Sequence, residues 1–313
     1  MAFTFDSIPS LAGRTVVVTG GNSGIGFEAA RMFARRGAHL VLACRDAAKM
    51  QAARERIVAE TAGAVVDEVT LDLGDLGKVR SAAAAIRDLA PTLDVLVNNA
   101  GVMALPYKET QDGFEMQVGT NHLGHFALTG LLLPSLLAAK QPRVVTVSSL
   151  VHLQGNVDVA DLPKPRAYNE WTAYARSKLA NVLFGYELDR RAKAARAALV
   201  SAVCHPGYAA TNLQSVGAKM GGSAFQGSMM QPGNKLVAQS AEMGAMPTMF
   251  AATADDVRGG EFVGPGGLLA MRGAPKVGKS SKASHDTESA RALWEASEKL
   301  TGVIYAWAWG GAS

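Results

Sequence analysis

The sequence predicts a single-domain α/β fold with a doubly wound parallel sheet and helices on both faces. Short runs rich in β-branched residues alternate with longer stretches of helical spacing, which is typical of parallel strands joined by crossover helices. No Pro- or Ser-rich linker divides the 313 residues, and the alternation continues across the middle of the chain. The composition, 48% hydrophobic and 19% charged, is that of a globular protein and excludes a mainly disordered chain.

Six strands are expected from the β-branched runs, at residues 15–19, 39–43, 66–71, 95–97, 144–148 and 199–205. The stretches between them are long enough to be crossover helices, at residues 25–36, 46–61, 76–89, 113–139 and 171–195. A helix that begins near Ser240, a short final strand at 261–263 and a closing helix at 286–300 complete the expected order.

A long irregular segment at residues 208–235, rich in Gly, Met, Ser and Gln, lies between the sixth strand and the helix near Ser240. A loop of this length is commonly a lid over a ligand site. Its apolar side chains either favour a moderately hydrophobic ligand or merely pack the lid down. These side chains are Met220, Phe225, Met229 and Met230.

Charge and cysteine content limit the possible partners and compartments. The net charge of +4 comes without a stripe of basic and aromatic residues, so we expect no nucleic-acid partner. Cys44 and Cys204 lie in apolar, strand-like runs and predict buried thiols, not a disulfide. Residues 1–14 lack a basic start and a long apolar segment. We therefore expect a cytoplasmic protein without a membrane anchor.

A glycine-rich turn directly follows the first expected strand. Thr19-Gly-Gly-Asn-Ser-Gly-Ile-Gly26 leads from that strand into a helix. Glycine permits a tight turn and close approach of the backbone to a pyrophosphate, whose charge is favoured by the unpaired N–H groups of the helix N-terminus. This context predicts a dinucleotide site formed by Gly20, Asn22, Ser23, Gly24, Ile25 and Gly26.

The end of the second strand indicates which dinucleotide is bound. An NAD site usually has an acid there to hold the ribose hydroxyls, but this chain has Cys44 followed by Arg45. The Arg45 guanidinium can pair with a 2′-phosphate, so we expect NADP(H) to be favoured over NAD(H). The alternative is that Arg45 is a solvated residue at the start of the next helix, which Asp46 would cap.

Further polar groups fall at the expected strand ends and on the following helices: Asn98 to Gly101, Asn121, Ser148 with Ser149, and Tyr174 with Lys178. Hydride delivery to a carbonyl leaves an alkoxide that needs a proton, and a phenol of pKa near 10 serves at neutral pH only if its anion is stabilised. Lys178 lies one helical turn after Tyr174, so its ammonium, together with an oxidised nicotinamide, can lower the pKa of that phenol. Tyr174 is then the proton donor in reduction and the acceptor in oxidation.

With the glycine turn, these motifs resemble the classical short-chain dehydrogenase/reductase family of Rossmann-fold proteins over roughly residues 13–211, since five motifs occur in order at compatible spacings. The resemblance implies that Ser149, with Ser148 as its rival, donates a hydrogen bond to the substrate oxygen. It also implies that Asn121 holds a water that links Lys178 to solvent. Cofactor contacts are further implied for Asp72 (at the adenine), Leu73, Asn99, Ala100, Gly101, Tyr174, Lys178, Pro206, Gly207 and Thr211 (at the nicotinamide carboxamide).

On this basis residues 13–205 are the cofactor-binding and catalytic core, 206–239 the substrate lid, and 240–313 a C-terminal helix, short strand and closing helix of the same domain. The chain resembles the retinol-dehydrogenase-like and WW-domain-oxidoreductase-like members of this family in four segments, at residues 121–126, 144–152, 178–181 and 205–207. The resemblance to eukaryotic members is not expected to include their membrane-anchoring N-terminus, and an insertion at 157–168 is expected to wall the substrate side.

The expected activity is hydride transfer between NADP(H) and a carbonyl or alcohol carbon of a moderately hydrophobic small molecule. A homodimer and a homotetramer both remain open. An extended-type epimerase or dehydratase would share the Tyr-x-x-x-Lys pair, but its G-x-x-G-x-x-G spacing differs from that of Gly20, Gly24 and Gly26. The other alternative is a non-catalytic NADP-sensing regulator on the same fold, against which the retention of Tyr174 and Lys178 argues.

Two other kinds of site are disfavoured. Ser149 and His205 would need the G-x-S-x-G turn of a hydrolase, which is missing. His122 and His125 have a spacing that could bind a metal, but no carboxylate or cysteine completes the ligand set, so no metal is expected.

Overall fold

The computed structural model describes residues 2–208 and 239–307 of the chain. Its strands are β1 (Thr15–Thr19), β2 (His39–Cys44), β3 (Val66–Thr70), β4 (Val95–Asn98), β5 (Arg143–Val147), β6 (Val200–Cys204), β7 (Phe262–Pro265) and β8 (Pro275–Gly278). They form one sheet in the order β3-β2-β1-β4-β5-β6-β7-β8. All neighbouring pairs are parallel except β7 and β8, which are antiparallel.

The helices of the described residues are α1 (Gly24–Arg35), α2 (Ala47–Glu60), α3 (Leu76–Leu89), α4 (Met116–Val118), α5 (Gly124–Leu137), α6 (Glu170–Ala194), α7 (Ala241–Thr253) and α8 (Thr287–Thr301). A π-helical turn, Gly119–Leu123, joins α4 to α5. Helices α1, α2 and α7 pack on one face of the sheet, and α3, α5 and α6 pack on the other, with α8 packed against α5 and α6. This arrangement confirms the predicted doubly wound fold.

Strand β1 shows why the strand sequences read as continuous apolar runs. Val16 and Val18 pack into the core under α1, whereas Val17 packs into the core on the opposite face, and all three are fully buried. A strand covered on both faces has no position for alternating polar residues. Because β1 pairs with β2 on one side and β4 on the other, the strand order reverses here, and a crevice opens beyond the carboxyl ends.

The structure corrects two of the expected elements. The strand at 261–263 was expected to be the last, but β8 follows it. The four residues Pro275–Gly278 are mostly exposed and include Pro and Gly, so they carry no apolar pattern from which a strand could be predicted. The helix expected at 113–139 begins only at Met116 and contains the π-helical turn.

Several local expectations can also be compared with the structure. Asp46 caps α2, as its Oδ1 accepts a hydrogen bond from the Lys49 N–H at 3.1 Å. Cys44 and Cys204 are confirmed as free, buried thiols. None of the helices in residues 2–208 and 239–307 has the length and apolar character needed to cross a bilayer. The lid expected at 206–239 lies largely outside the described residues, and so does Thr211.

Candidate active site

A cavity of about 570 Å³ lies beyond the carboxyl ends of the central strands. Most of the residues predicted from the motifs line it: Gly20, Asn22, Ser23, Gly24, Ile25, Gly26, Arg45, Asp72, Leu73, Asn99, Ala100, Gly101, Ser149, Tyr174, Lys178 and Pro206. Asn121 and Gly207 do not line it. Parallel strands bring their carboxyl ends to one edge of the sheet, which is why motifs distant in sequence meet here.

The glycine turn lets two loops approach more closely than side chains would allow. Gly20 has a φ of +66°, and a Cβ there would lie 2.9 Å from the Cα of Ala100. A Cβ on Gly26 would collide with the carbonyl oxygen of Gly20. The backbone therefore borders the cavity directly at the start of α1, where unpaired N–H groups favour an anion. These features fit the pyrophosphate of a dinucleotide.

A buried network that was not expected from the sequence holds this turn against the loop after β4. The Thr19 hydroxyl accepts the N–H groups of Asn99 and Ala100 at 2.9 and 3.0 Å. His125 Nδ1 faces the Asn121 carbonyl oxygen at 3.0 Å and must donate to it, so Nε2 accepts the Thr19 proton at 2.9 Å. Burial lowers the pKa of His125 to about 4, which keeps the ring neutral. Within the described residues, no cluster of three His, Cys, Asp or Glu could hold a metal.

The position where an acid would hold a ribose carries no charge. Burial raises the pKa of the Cys44 thiol to about 11, against the opposing effect of the nearby backbone N–H groups of the glycine turn. Arg45 lines the cavity next to it, is exposed, and forms no ion pair with any described residue. Asp72 also lines the cavity, and its Oδ1 accepts the Gly74 N–H at 3.0 Å. The cavity therefore has the Arg45 guanidinium beside a neutral thiol, and the nearby carboxylate of Asp46 is paired with Lys49 at 3.0 Å.

Tyr174 and Lys178 lie on α6, and both side chains are buried at the cavity. The Lys178 Nζ donates to the Val147 carbonyl oxygen at 3.1 Å and lies 5.8 Å from the centre of the Tyr174 ring. Burial raises the pKa of Tyr174 to about 12, although the Ser149 side chain acts in the opposite direction, and burial lowers the pKa of Lys178 to about 8. In the chain alone, desolvation therefore outweighs the hydrogen bond with Ser149, and the lowering of the phenol pKa by Lys178 together with an oxidised nicotinamide stays a prediction.

The two serines after β5 have different partners. The Ser148 hydroxyl donates to the Lys178 carbonyl oxygen at 2.8 Å and is committed to that bond. The Ser149 Oγ accepts the Val151 N–H at 3.3 Å, which leaves its proton available to the cavity, and its side chain neighbours that of Tyr174. This geometry favours Ser149 over Ser148 as the donor to a substrate oxygen.

Asn121 lies in the π-helical turn and braces the loop after β4. Its Oδ1 accepts the Val102 N–H at 2.8 Å, and its two amide hydrogens are donated to the Val102 carbonyl oxygen and the Ser177 hydroxyl, each at 2.9 Å. All hydrogen-bonding groups of the Asn121 side chain therefore have protein partners. The backbone carbonyl oxygen of Asn121 accepts a hydrogen bond from His125. These contacts give Asn121 a positional role, and the water-holding role that the sequence resemblance implies stays a prediction.

The cavity is also lined by residues that were not predicted from the sequence, namely Val102, Met103, Thr120, Val151, Trp171 and Tyr208. Trp171 is three residues before Tyr174 and so shares its helix face, a signal that could have been used. No residue of the insertion at 157–168 lines the cavity. Instead, the Tyr168 hydroxyl donates to the Leu105 carbonyl oxygen at 2.6 Å and ties the insertion to the loop that carries Met103.

Comparison with known proteins gives consistent matches. A profile of the short chain dehydrogenase family matches residues 14–220. Human retinol dehydrogenase 13 is 43% identical over 300 residues, which cover 94% of this chain and 86% of the relative. Human retinol dehydrogenase 14 is 35% identical over 311 residues, with 93% and 87% covered.

Two solved structures extend the comparison. An uncharacterised protein from Mycobacterium paratuberculosis superposes with a TM-score of 0.80 at 42% identity, covering 98% of this chain and 100% of that chain. A protein from Beutenbergia cavernae, described as an NAD(P)-dependent gluconate 5-dehydrogenase with bound NADP, has a TM-score of 0.59 at 27% identity, covering 78% and 91%.

Proposed function

Since the chain belongs to the short-chain dehydrogenase family and is a nicotinamide-dependent oxidoreductase of alcohols and carbonyls, we propose that it prefers NADP(H) and acts on a moderately hydrophobic small molecule. The relatives at 35–43% identity confirm the expected resemblance to retinol dehydrogenases. The observation that carries the proposal is the meeting of Ser149, Tyr174 and Lys178 at one cavity with the glycine turn and Arg45.

The preference for NADP(H) is supported by charge at the ribose end of the cavity. Arg45 is exposed there, and the neighbouring Cys44 thiol is neutral, so a 2′-phosphate would meet a guanidinium and no repelling acid at that position. The Beutenbergia cavernae structure holds NADP on a similar fold. In this proposal the backbone of Gly20 to Gly26 holds the pyrophosphate, and Lys178 holds the nicotinamide ribose.

When bound, the cofactor supplies or accepts the hydride. In carbonyl reduction the Ser149 hydroxyl donates a hydrogen bond to the substrate oxygen and stabilises the negative charge that develops there. Tyr174, which is protonated at neutral pH because burial raises its pKa to about 12, gives its proton to that oxygen. Lys178, charged below about pH 8, stabilises the phenolate that remains.

The proposed substrate class is supported by the walls of the cavity. Val102, Met103, Val151 and Trp171 give apolar surface to the cavity that Ser149 and Tyr174 also line. Methionine adapts to ligands of different shape, and the indole adds a large flat contact. Relatives named retinol dehydrogenases support an extended apolar alcohol or aldehyde as the substrate.

The function is tested by following NADPH absorbance over a panel of aldehydes and ketones graded by apolar size. Turnover is expected with apolar members of the panel. Tyr174→Phe keeps the ring packing but removes the hydroxyl, so NADPH affinity should be retained while kcat falls about 10²–10⁴-fold. Wild-type turnover in that variant would refute the assigned chemistry. NADPH binding without turnover of any compound in the wild-type protein would favour the non-catalytic sensor.

A further inference from the structure

Two buried histidines lie just behind the candidate active site and do not line its cavity. His152 is in the 3-10 helix Leu150–Gln154 after β5, and His205 directly follows β6. Both rings pack against Phe262 on β7, with ring centroids 5.0 and 5.1 Å from the Phe262 centroid. All three side chains are at least 97% buried. The three rings thus join the segments that follow β5 and β6 to β7.

The two nitrogens of His152 have fixed and different partners. Nδ1 lies 2.7 Å from the Ser149 carbonyl oxygen, which can only accept, so Nδ1 carries the proton. Nε2 lies 3.1 Å from the Ser281 backbone nitrogen, whose N–H can only donate, so Nε2 accepts. One neutral tautomer satisfies both contacts, and burial lowers the pKa of His152 and so favours that neutral form. The ring therefore ties Ser149 to the segment after β8.

His205 makes the equivalent contact one strand further along the sheet. Its Nδ1 accepts the Gly207 N–H at 3.1 Å, which holds the turn at Pro206 and Gly207. The other side of the ring lies so close to Gly264 that a Cβ there would collide with Nε2. Gly207 has a φ of +67°, and the carbonyl of Met271 occupies the direction of its missing Cβ. The turn is thus fixed by His205 from one side and by the β7–β8 connection from another.

We propose that His152 and His205 are positioning residues, which use Phe262 as a common support to hold Ser149 and the Pro206–Gly207 turn at a fixed separation. The inference rests on the proposed function, in which Ser149 contacts the substrate oxygen, and on the cofactor contact that the sequence resemblance implies for Pro206 and Gly207. Hydride transfer needs these two groups aligned, and a displacement of about 1 Å can cost about a hundredfold in rate. Ser149 and Pro206 line the cavity on separate loops, so a shared support can keep that alignment.

Two substitutions of His152 separate its two hydrogen bonds. In His152→Asn the amide takes the place of Nδ1 and can still donate to the Ser149 carbonyl oxygen. In His152→Gln the amide reaches the place of Nε2 and can accept from Ser281, but the bond to Ser149 is lost. We expect kcat within about threefold of the wild type for Asn and about ten- to a hundredfold lower for Gln, with NADPH Kd unchanged in both.

Tyr186→Phe is the matched control, because the Tyr186 hydroxyl bonds to Ser280 at 2.7 Å in the same C-terminal segment but has no hydrogen bond to Ser149. It should lower the melting temperature slightly and leave kcat unchanged. Equal kcat for His152→Asn and His152→Gln, whether both high or both low, would overturn the proposal. A loss of kcat in Tyr186→Phe as large as that in His152→Gln would also overturn it.

The test of His205 measures cofactor binding and needs no substrate, so it can fail or succeed independently of the proposed reaction. His205→Asn can still accept the Gly207 N–H, whereas His205→Phe keeps an aromatic ring without an acceptor. NADPH titrated by its fluorescence should bind about five- to tenfold more weakly to the Phe variant than to the Asn variant. Equal NADPH Kd values for the two variants would overturn the role of His205, even if no substrate has been found. Absence of turnover in the wild type would instead count against the proposed function.

Discussion

At the scale of single residues, burial determines the proton chemistry of the candidate site. Tyr174 and Lys178 are both buried, so each is displaced toward its neutral form, with the pKa of the tyrosine raised and that of the lysine lowered. For a proton donor in carbonyl reduction this is favourable, since the phenol is fully protonated at neutral pH. For Lys178, the lowered pKa means that the ammonium loses its positive charge only slightly above neutral pH.

We therefore expect kcat/KM for NADPH-dependent reduction to fall as the pH rises through about 8, where Lys178 in the free enzyme loses its proton. The fall should not come from unfolding through this group. Its pKa is lowered from 10.5 to about 8 by folding, so between those values the unfolded chain holds more protons and stability rises with pH. Measurement of kcat/KM for NADPH-dependent reduction from pH 6 to 10 should show the step in the wild type and no step in Lys178→Met. A step that persists in the variant would assign it to another group.

Arg45 gives a second residue-scale prediction, on cofactor choice. Replacing Arg45 by Ala should reduce the ratio of NADPH to NADH affinity by about tenfold or more, the loss of one charge-assisted hydrogen bond. Arg56→Ala removes the same charge from a position on α2 that does not line the cavity, and it should leave the ratio unchanged. Fluorescence titration with both cofactors measures this. An unchanged ratio in Arg45→Ala would contradict the proposed 2′-phosphate contact.

The sequence allowed the residues of the local motifs to be predicted, but not those that support them. Tyr174, Lys178 and the glycine turn were identifiable because spacing along one helix or one turn fixes their geometry. His125 and His152 act through partners far away in the sequence, such as Thr19 and Ser281, and a histidine alone gives no sign of such contacts. The direction of the Tyr174 pKa in the chain alone could not be predicted for a related reason, since burial of a side chain depends on the whole fold.

At the scale of elements, the π-helical turn Gly119–Leu123 connects the loop after β4 to α6. It places Asn121 between Val102 and Ser177, while the following turn carries His125 back toward Thr19. A π turn inserts one extra residue into a helix and is frequent at functional sites. Helical periodicity in the sequence continues through this region, so the turn was not predictable, just as the short, exposed strand β8 was not.

We predict that Asn121→Ala destabilises the protein by about 1–3 kcal/mol, because it leaves the N–H and carbonyl groups of Val102 without their partner. It should also lower kcat, since the released loop carries Gly101 and Met103 at the cavity. Ser177→Ala is the control that removes only one of the three side-chain bonds of Asn121, and the loss should be smaller. Urea unfolding gives both values. A larger loss in Ser177→Ala would show that Asn121 is not the main brace.

At the scale of the whole molecule, the C-terminal helix α8 covers the side of α5 and α6 that faces away from the sheet. Trp294 on α8 packs against Phe126, Phe184 and Tyr305, with ring centroids 5.0, 5.9 and 4.5 Å away. The Tyr305 hydroxyl donates to the Phe126 carbonyl oxygen at 2.7 Å. Helix α6, which carries Tyr174 and Lys178, is thus enclosed between the sheet and the C-terminal residues.

Trp294→Ala should therefore destabilise the fold by about 3–5 kcal/mol, since it removes a fully buried indole and leaves a cavity between α5, α6 and α8. Trp171 is the matched control, because it is also a tryptophan but is 43% exposed. Its replacement by Ala should change the unfolding free energy by no more than about 0.5 kcal/mol. Both values come from urea unfolding followed by circular dichroism. NADPH affinity should survive in Trp294→Ala below its unfolding transition, because the glycine turn and Arg45 lie on elements that do not touch Trp294. Equal destabilisation by the two substitutions would mean that α8 adds no more to the stability of the fold than an exposed side chain at the cavity entrance.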